Sequence, residues 1–154
     1  MGAAGVVTIE APTLLLEDRA EIVGNTALPG RGGAVSVDVG TLRIANARIA
    51  SESTAAGADA GAAGAIDVTA DTIVLEGSGR ISAATRDGAG GSIELRARTL
   101  TLTGGSTISA SSSGAGRAGN LDIAALETVT MQSSALRTSA PQSAGGDITL
   151  AAGN

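Results

Sequence analysis

Three carboxylates recur at one position of a repeated segment: Asp67, Glu94 and Asp122. They stand in Ala65-Ile66-Asp67-Val68, Ser92-Ile93-Glu94-Leu95 and Asn120-Leu121-Asp122-Ile123. Alternate side chains of a strand share one face, so the acids point away from their aliphatic neighbours. If the segments stack in register, like residues lie ~4.8 Å apart along the stack. Carboxylates at that spacing oppose one another's ionisation or share a cation. The chemistry would be that of an acid/base or Ca²⁺ site, and these three are the only candidate metal ligands. The competing reading needs no ligand. Arg96 lies two residues from Glu94 and points the same way, so it offsets part of the repulsion in a solvated column.

A second outward column carries threonine: Thr13, Thr41, Thr72, Thr99 and Thr128. Flat Thr-x-Thr arrays on β-solenoids are the signature of ice-binding proteins, and Thr99/Thr101 and Thr128/Thr130 form two such pairs. The column beside it reads Leu15, Arg43, Val74, Thr101, Thr130, so the array is broken. High β propensity and hydroxyl stacking between like positions account for the threonines without ice. Asp87-Gly88-Ala89-Gly90-Gly91 and Gly145-Gly146-Asp147 resemble fragments of the calcium nonapeptide GGxGxDxUx, but neither has its full spacing, and both read as turns. Asp38, Asp71 and Arg43 complete no constellation. The chain has no Lys, so a phosphate-binding Gly-Lys-Ser/Thr loop is absent. No catalytic residue, cofactor site or binding residue is assigned.

The elements that position these columns come from a repeat. Ala4-Gly5, Gly32-Gly33, Ala63-Gly64, Gly90-Gly91, Ala118-Gly119 and Gly145-Gly146 each open a short alternating strand. Coils therefore start near residues 5, 33, 64, 91, 119 and 146. A first apolar pair follows at Val7/Ile9, Val35/Val37, Ile66/Val68, Ile93/Leu95, Leu121/Ile123 and Ile148/Leu150. A second follows at Leu14/Leu16, Leu42/Ile44, Ile73/Leu75, Leu100/Leu102 and Val129/Met131. A third segment has one large residue, at Ile22, Ile49, Ile81, Ile108 and Leu136. Two positions later stands a small one: Gly24, Ser51, Ala83, Ala110 or Thr138.

Strands this short cannot bury a face alone. Stacking like coils joins the faces into one core and pairs the backbone between coils. The spacing predicts an all-β fold over 1–154: a parallel β-helix of about five to six coils, three short strands each. Parallel connections favour a right-handed path. An antiparallel sandwich is the structural alternative, but the fixed three-segment grammar prefers the solenoid. The link after the third segment varies most and is longest between Ala50 and Ala63. An extra residue near Ala124–Leu126 predicts a bulge or wider corner in the fifth copy.

Composition narrows the function. No Phe, Trp, Tyr, His, Cys or Lys occurs, and all ten basic residues are Arg. Sugar-active sites usually add aromatic platforms, His or Lys. The chain is 43% hydrophobic and 16% charged, too apolar for a disordered segment. A net charge of −5 argues against nucleic-acid binding. No stretch approaches the ~18 apolar residues of a membrane span. The first residues lack the basic and apolar regions of a secretory signal, and Val6 excludes myristoylation. Met1 reads as a start placed on an internal fragment.

The grammar Gly90-Gly91-Ser92-Ile93-Glu94-Leu95, then Thr99-Leu100-Thr101-Leu102, then Gly105-Ser106-Thr107-Ile108-Ser109-Ala110-Ser111, resembles the repeats of filamentous-haemagglutinin-like exoproteins of two-partner secretion systems. It covers nearly the whole chain. The resemblance implies a structural shaft or adhesin segment with no catalysis of its own. It also implies a secreted or cell-surface location in a Gram-negative-type bacterium, export through an outer-membrane transporter, and a host or surface receptor that the residues do not identify. That family's secretion domain, with its Asn-Pro-Asn-Gly type motif, is missing here. Residues 146–154 supply only the first strand of a new coil and no amphipathic cap precedes Gly5, so the expectation is a parent chain that continues at both ends, and a segment able to pair end to end. The alternative is the scaffold of a polysaccharide-active β-helix enzyme, since such lyases and hydrolases place clustered acids outside the coil. Its site would be the 51–63 link or the acid column.

Overall fold

The computed structural model describes residues 4–27 and 29–153. Met1, Gly2, Ala3, Leu28 and Asn154 lie outside the described residues, and so do the expectations that rest on the two chain ends.

Alternating aliphatic residues build eleven strands: β1 Val7–Glu17, β2 Glu21–Val23, β3 Val35–Ala45, β4 Arg48–Ser53, β5 Ile66–Glu76, β6 Arg80–Thr85, β7 Ile93–Leu102, β8 Thr107–Ser112, β9 Leu121–Met131, β10 Ala135–Ser139 and β11 Ile148–Ala152. The odd-numbered strands form one sheet, β1-β3-β5-β7-β9-β11, and the even-numbered ones another, β2-β4-β6-β8-β10. Every strand pair is parallel. The chain is an all-β parallel solenoid of about five turns, and the sandwich alternative is excluded.

The aliphatic columns stack as the spacing predicts. Val7, Val35, Ile66, Ile93, Leu121 and Ile148 pair in succession, as do Leu14, Leu42, Ile73, Leu100 and Val129. The third column runs Ile22, Ile49, Ile81, Ile108, Leu136. In the middle coils these side chains are fully buried. Burial of each stabilises by about 1.5–3 kcal/mol.

The strand count per coil differs from the expected three. The first two apolar pairs lie on one long strand with a bend inside it. Pairing skips Pro12, Gly40 and Asp71, and the inward positions jump from Val39 to Leu42 and from Ala70 to Ile73. Two consecutive outward residues therefore turn the strand without ending its ladder. The predicted insertion sits at the same corner of β9, where Ala97 pairs with Ala125 but Thr99 pairs with Thr128. Arg98 thus faces two residues, Leu126 and Glu127, and Leu126 is 71% exposed.

The links from each even-numbered strand to the next odd-numbered one contain no strand among the described residues, yet their backbone also forms a ladder. Gly32 N–H donates to the Ala62 carbonyl at 2.8 Å, Ala63 to Ala89 at 2.9 Å, Gly90 to Arg117 at 2.8 Å and Ala118 to Ala144 at 3.0 Å. The repeat glycines belong to these links. A Cβ on Gly64, Gly91 or Gly119 would stand no more than 2.3 Å from the carbonyl oxygen of the glycine one coil earlier. Close backbone approach, rather than a left-handed φ, requires glycine at these positions. Left-handed φ occurs instead at Gly57, Gly77, Gly104 and Gly105, and at Asp18, Arg19, Asn46, Ser78 and Ser133.

The small third-segment column has the same cause, because it packs against the glycine ladder. Ser51 Oγ donates to the Gly33 carbonyl at 2.7 Å and accepts from Gly64 N–H at 2.8 Å. Thr138 Oγ1 donates to the Gly146 carbonyl at 2.8 Å. A larger aliphatic there would lose these bonds and collide with the link. One column further, Thr85 Oγ1 accepts from Gly88 N–H and Ser112 Oγ donates to the Gly88 carbonyl, both at 3.0 Å.

Candidate functional site

The acid column stands where the sequence places it. Asp67 pairs with Glu94 and Glu94 with Asp122, while Ser36 and Thr149 flank the three in the neighbouring coils. Arg96 donates a charge-assisted hydrogen bond to the Glu94 carboxylate. Among the described residues, no three Asp, Glu, His or Cys side chains gather into a group that could hold a metal ion. Asp67, Glu94 and Asp122 are therefore neighbours along a ladder, without a common focus.

Other ion pairs bind coil to coil. Arg43, which interrupts the threonine array, reaches Glu17 one coil before it at 3.1 Å and also pairs with Glu76 one coil after it. Arg48 reaches Glu21 one coil before it at 2.9 Å and Glu52 on its own strand at 3.3 Å. The Glu21 hydrogen bond and the nearby carboxylate charges hold the Arg48 guanidinium above its ordinary range, against the opposing effect of burial. Arg98 reaches Glu127 at 3.1 Å across the widened corner of β9. Each pair is partly exposed, so each contributes at most about 1 kcal/mol.

The threonine column is continuous from Thr13 through Thr41, Thr72 and Thr99 to Thr128. Thr99 Oγ1 donates to Thr72 Oγ1 at 3.4 Å. The glycine–aspartate fragments act as turns. Asp87 accepts from Gly57 N–H at 2.8 Å and so ties down the long 54–65 link, while Asp147 N–H donates to the Asn120 side chain at 3.0 Å.

The structure also gathers residues that the sequence leaves unconnected. The inner side of the long-strand bend forms a groove of about 510 Å³ along the stack. Its floor is small (Ala70, Ala97 and Gly40), and its charged lining is Asp38, Asp71, Arg96 and Arg98. The signal was present in the shift from Val39 to Leu42, which marks the bend and brings the column of Asp38 beside that of Asp71. Both arginines of the groove are already paired, to Glu94 and Glu127. No family model, curated protein or solved structure matches the chain.

Proposed function

We propose that this chain is a structural shaft segment of a secreted or cell-surface exoprotein, with no catalytic activity of its own. The observation that carries the reading is the unbroken ladder. Six strands of one sheet and five of the other continue in like-on-like pairing, and the side-chain chemistry is spent holding that register. Arg43 ties three coils together, and Ser51, Thr85, Ser112 and Thr138 satisfy the backbone of the links. Among the described residues, no helix is long and apolar enough to cross a membrane.

The finer architecture belongs to the same proposal. The coil winds to the right, in keeping with the strong bias of parallel connections, and each turn has three sides, two of them on the bent long strand. The repeat grammar supports membership of the filamentous-haemagglutinin-like exoproteins, with export through an outer-membrane transporter and binding of the parent to a host or surface receptor. Among the described residues β1 and β11 are the outer strands of their sheet, and such edges are templates for another strand, which supports end-to-end association at high concentration.

Replacing the acid column tests the shaft against the enzyme alternative. Thr at positions 67, 94 and 122 would match the Ser36 and Thr149 already in that column. A shaft tolerates Asp67→Thr, Glu94→Thr and Asp122→Thr together, stays folded, and shows no cleavage of a glycan panel before or after. Glycan cleavage by the parent chain that disappears in the variant contradicts the proposal.

A further inference from the structure

The geometry points to a binding site for a phosphate or sulfate monoester on the outer face of the five-stranded sheet, over β6, β8 and β10. Arg80 of β6 and Arg137 of β10 line one cleft of about 480 Å³, with Thr107, Ser109 and Ser111 of β8 between them. The register explains the convergence. Arg80 shares a column with Thr107, and Ser82 shares the next with Ser109 and Arg137. The two arginines are two coils apart, roughly 10 Å along the stack, and both extend over the β8 hydroxyls.

Three features separate this cleft from the rest of the surface. First, Arg43, Arg48, Arg96 and Arg98 are each held by glutamate, whereas Arg80 and Arg137, like Arg19, Arg31, Arg86 and Arg117, have no ion pair among the described residues, and Arg80 and Arg137 share this cleft. Second, no Asp or Glu lines the cleft. Third, the hydroxyls between the two arginines are uncommitted: Thr107, Ser109 and Ser111 make no side-chain hydrogen bond to another described residue, whereas Ser112 and Ser113 at the rim donate to the Gly88 and Arg86 carbonyls. Ser82, which is only 7% exposed and stands next to Ser109 in its column, makes none either.

Two guanidinium groups around a row of hydroxyl donors suit a tetrahedral oxyanion. Such a ligand offers three terminal acceptor oxygens, and arginine recognises it in a forked geometry. The cleft volume exceeds a bare anion and leaves room for the group that carries it, such as a sugar. The overall charge of −5 repels anions elsewhere, so binding concentrates on this face. Both arginines are exposed, so affinity is modest and falls with salt.

NMR titration of the full chain with inorganic phosphate at low ionic strength tests the site. Saturable shifts should appear at the Arg80 and Arg137 side-chain N–H groups and at the amides of 107–113. Arg80→Gln and Arg137→Gln should each weaken binding about three- to tenfold, the effect of losing one charged hydrogen-bonding group. Arg117→Gln, a control on the link from β8 to β9, should leave it unchanged. All three variants should keep the parental thermal midpoint. Dextran sulfate and vesicles containing phosphatidic acid separate the sources of the oxyanion: the ligand whose binding falls in the double variant identifies the carrier. Shifts spread evenly over all the arginines, or a double variant that binds phosphate as the parent does, overturn the proposal.

Discussion

A Cβ on Gly91 would stand 2.1 Å from the Gly64 carbonyl oxygen, whereas one on Gly145 would find nothing closer than 4.0 Å. Gly91 is the second residue of its repeat pair and Gly145 the first, and of these two only Gly91 meets the preceding coil. Gly91→Ala should destabilise by about 3 kcal/mol or more, because rigid backbone cannot yield as a side chain would. Gly145→Ala should change stability by less than about 1 kcal/mol. Urea melts of both variants check the contrast. The acid column behaves differently. Removing three stacked like charges while losing one exposed pair to Arg96 should leave stability within about 1 kcal/mol of the parent, or raise it. Calcium should shift the melting point of neither protein. At this scale the inward residues were legible because aliphatic columns repeat without interruption. The pairing of Arg43 with Glu17 and Glu76 was not, since it joins residues 26 and 33 positions apart. Only the register brings them together.

The elements show a similar division. The third-segment strands and the long link fall where the spacing puts them, but the first two predicted strands are arms of one. Alternation alone cannot separate a bend from a break. A two-residue outward step appears in both, and the ladder decides which it is. The β9 corner offers a direct test of this grammar. Deleting Leu126 would set Glu127 opposite Arg98 and keep Thr128 opposite Thr99. The deletion also removes an exposed leucine. The shortened chain should fold with an unchanged or raised melting point, whereas deleting the buried Ala125 beside it should lower it. A Leu126 deletion that unfolds the chain would mean that the bulge, rather than the columns, sets the register.

Over the whole molecule the energetics approach a sum over coils and their interfaces. The middle coils bury their aliphatics completely, while Ile148 and Leu150 remain 44% and 47% exposed in the last strand. Removing residues 64–90 tests whether the coils are interchangeable, which is the central claim of a shaft. The cut joins Ala63 to Gly91 and brings β3 onto β7 and β4 onto β8. Val35 would meet Ile93, Leu42 would meet Leu100, Ile49 would meet Ile108, and Asp38 would face Arg96. Gly57 N–H loses its Asp87 partner, a loss of about 1 kcal/mol. The measurement is circular dichroism with small-angle scattering on the deleted chain. A shaft predicts a cooperative β-fold shortened by about 4.8 Å. An unfolded or aggregated chain would contradict it.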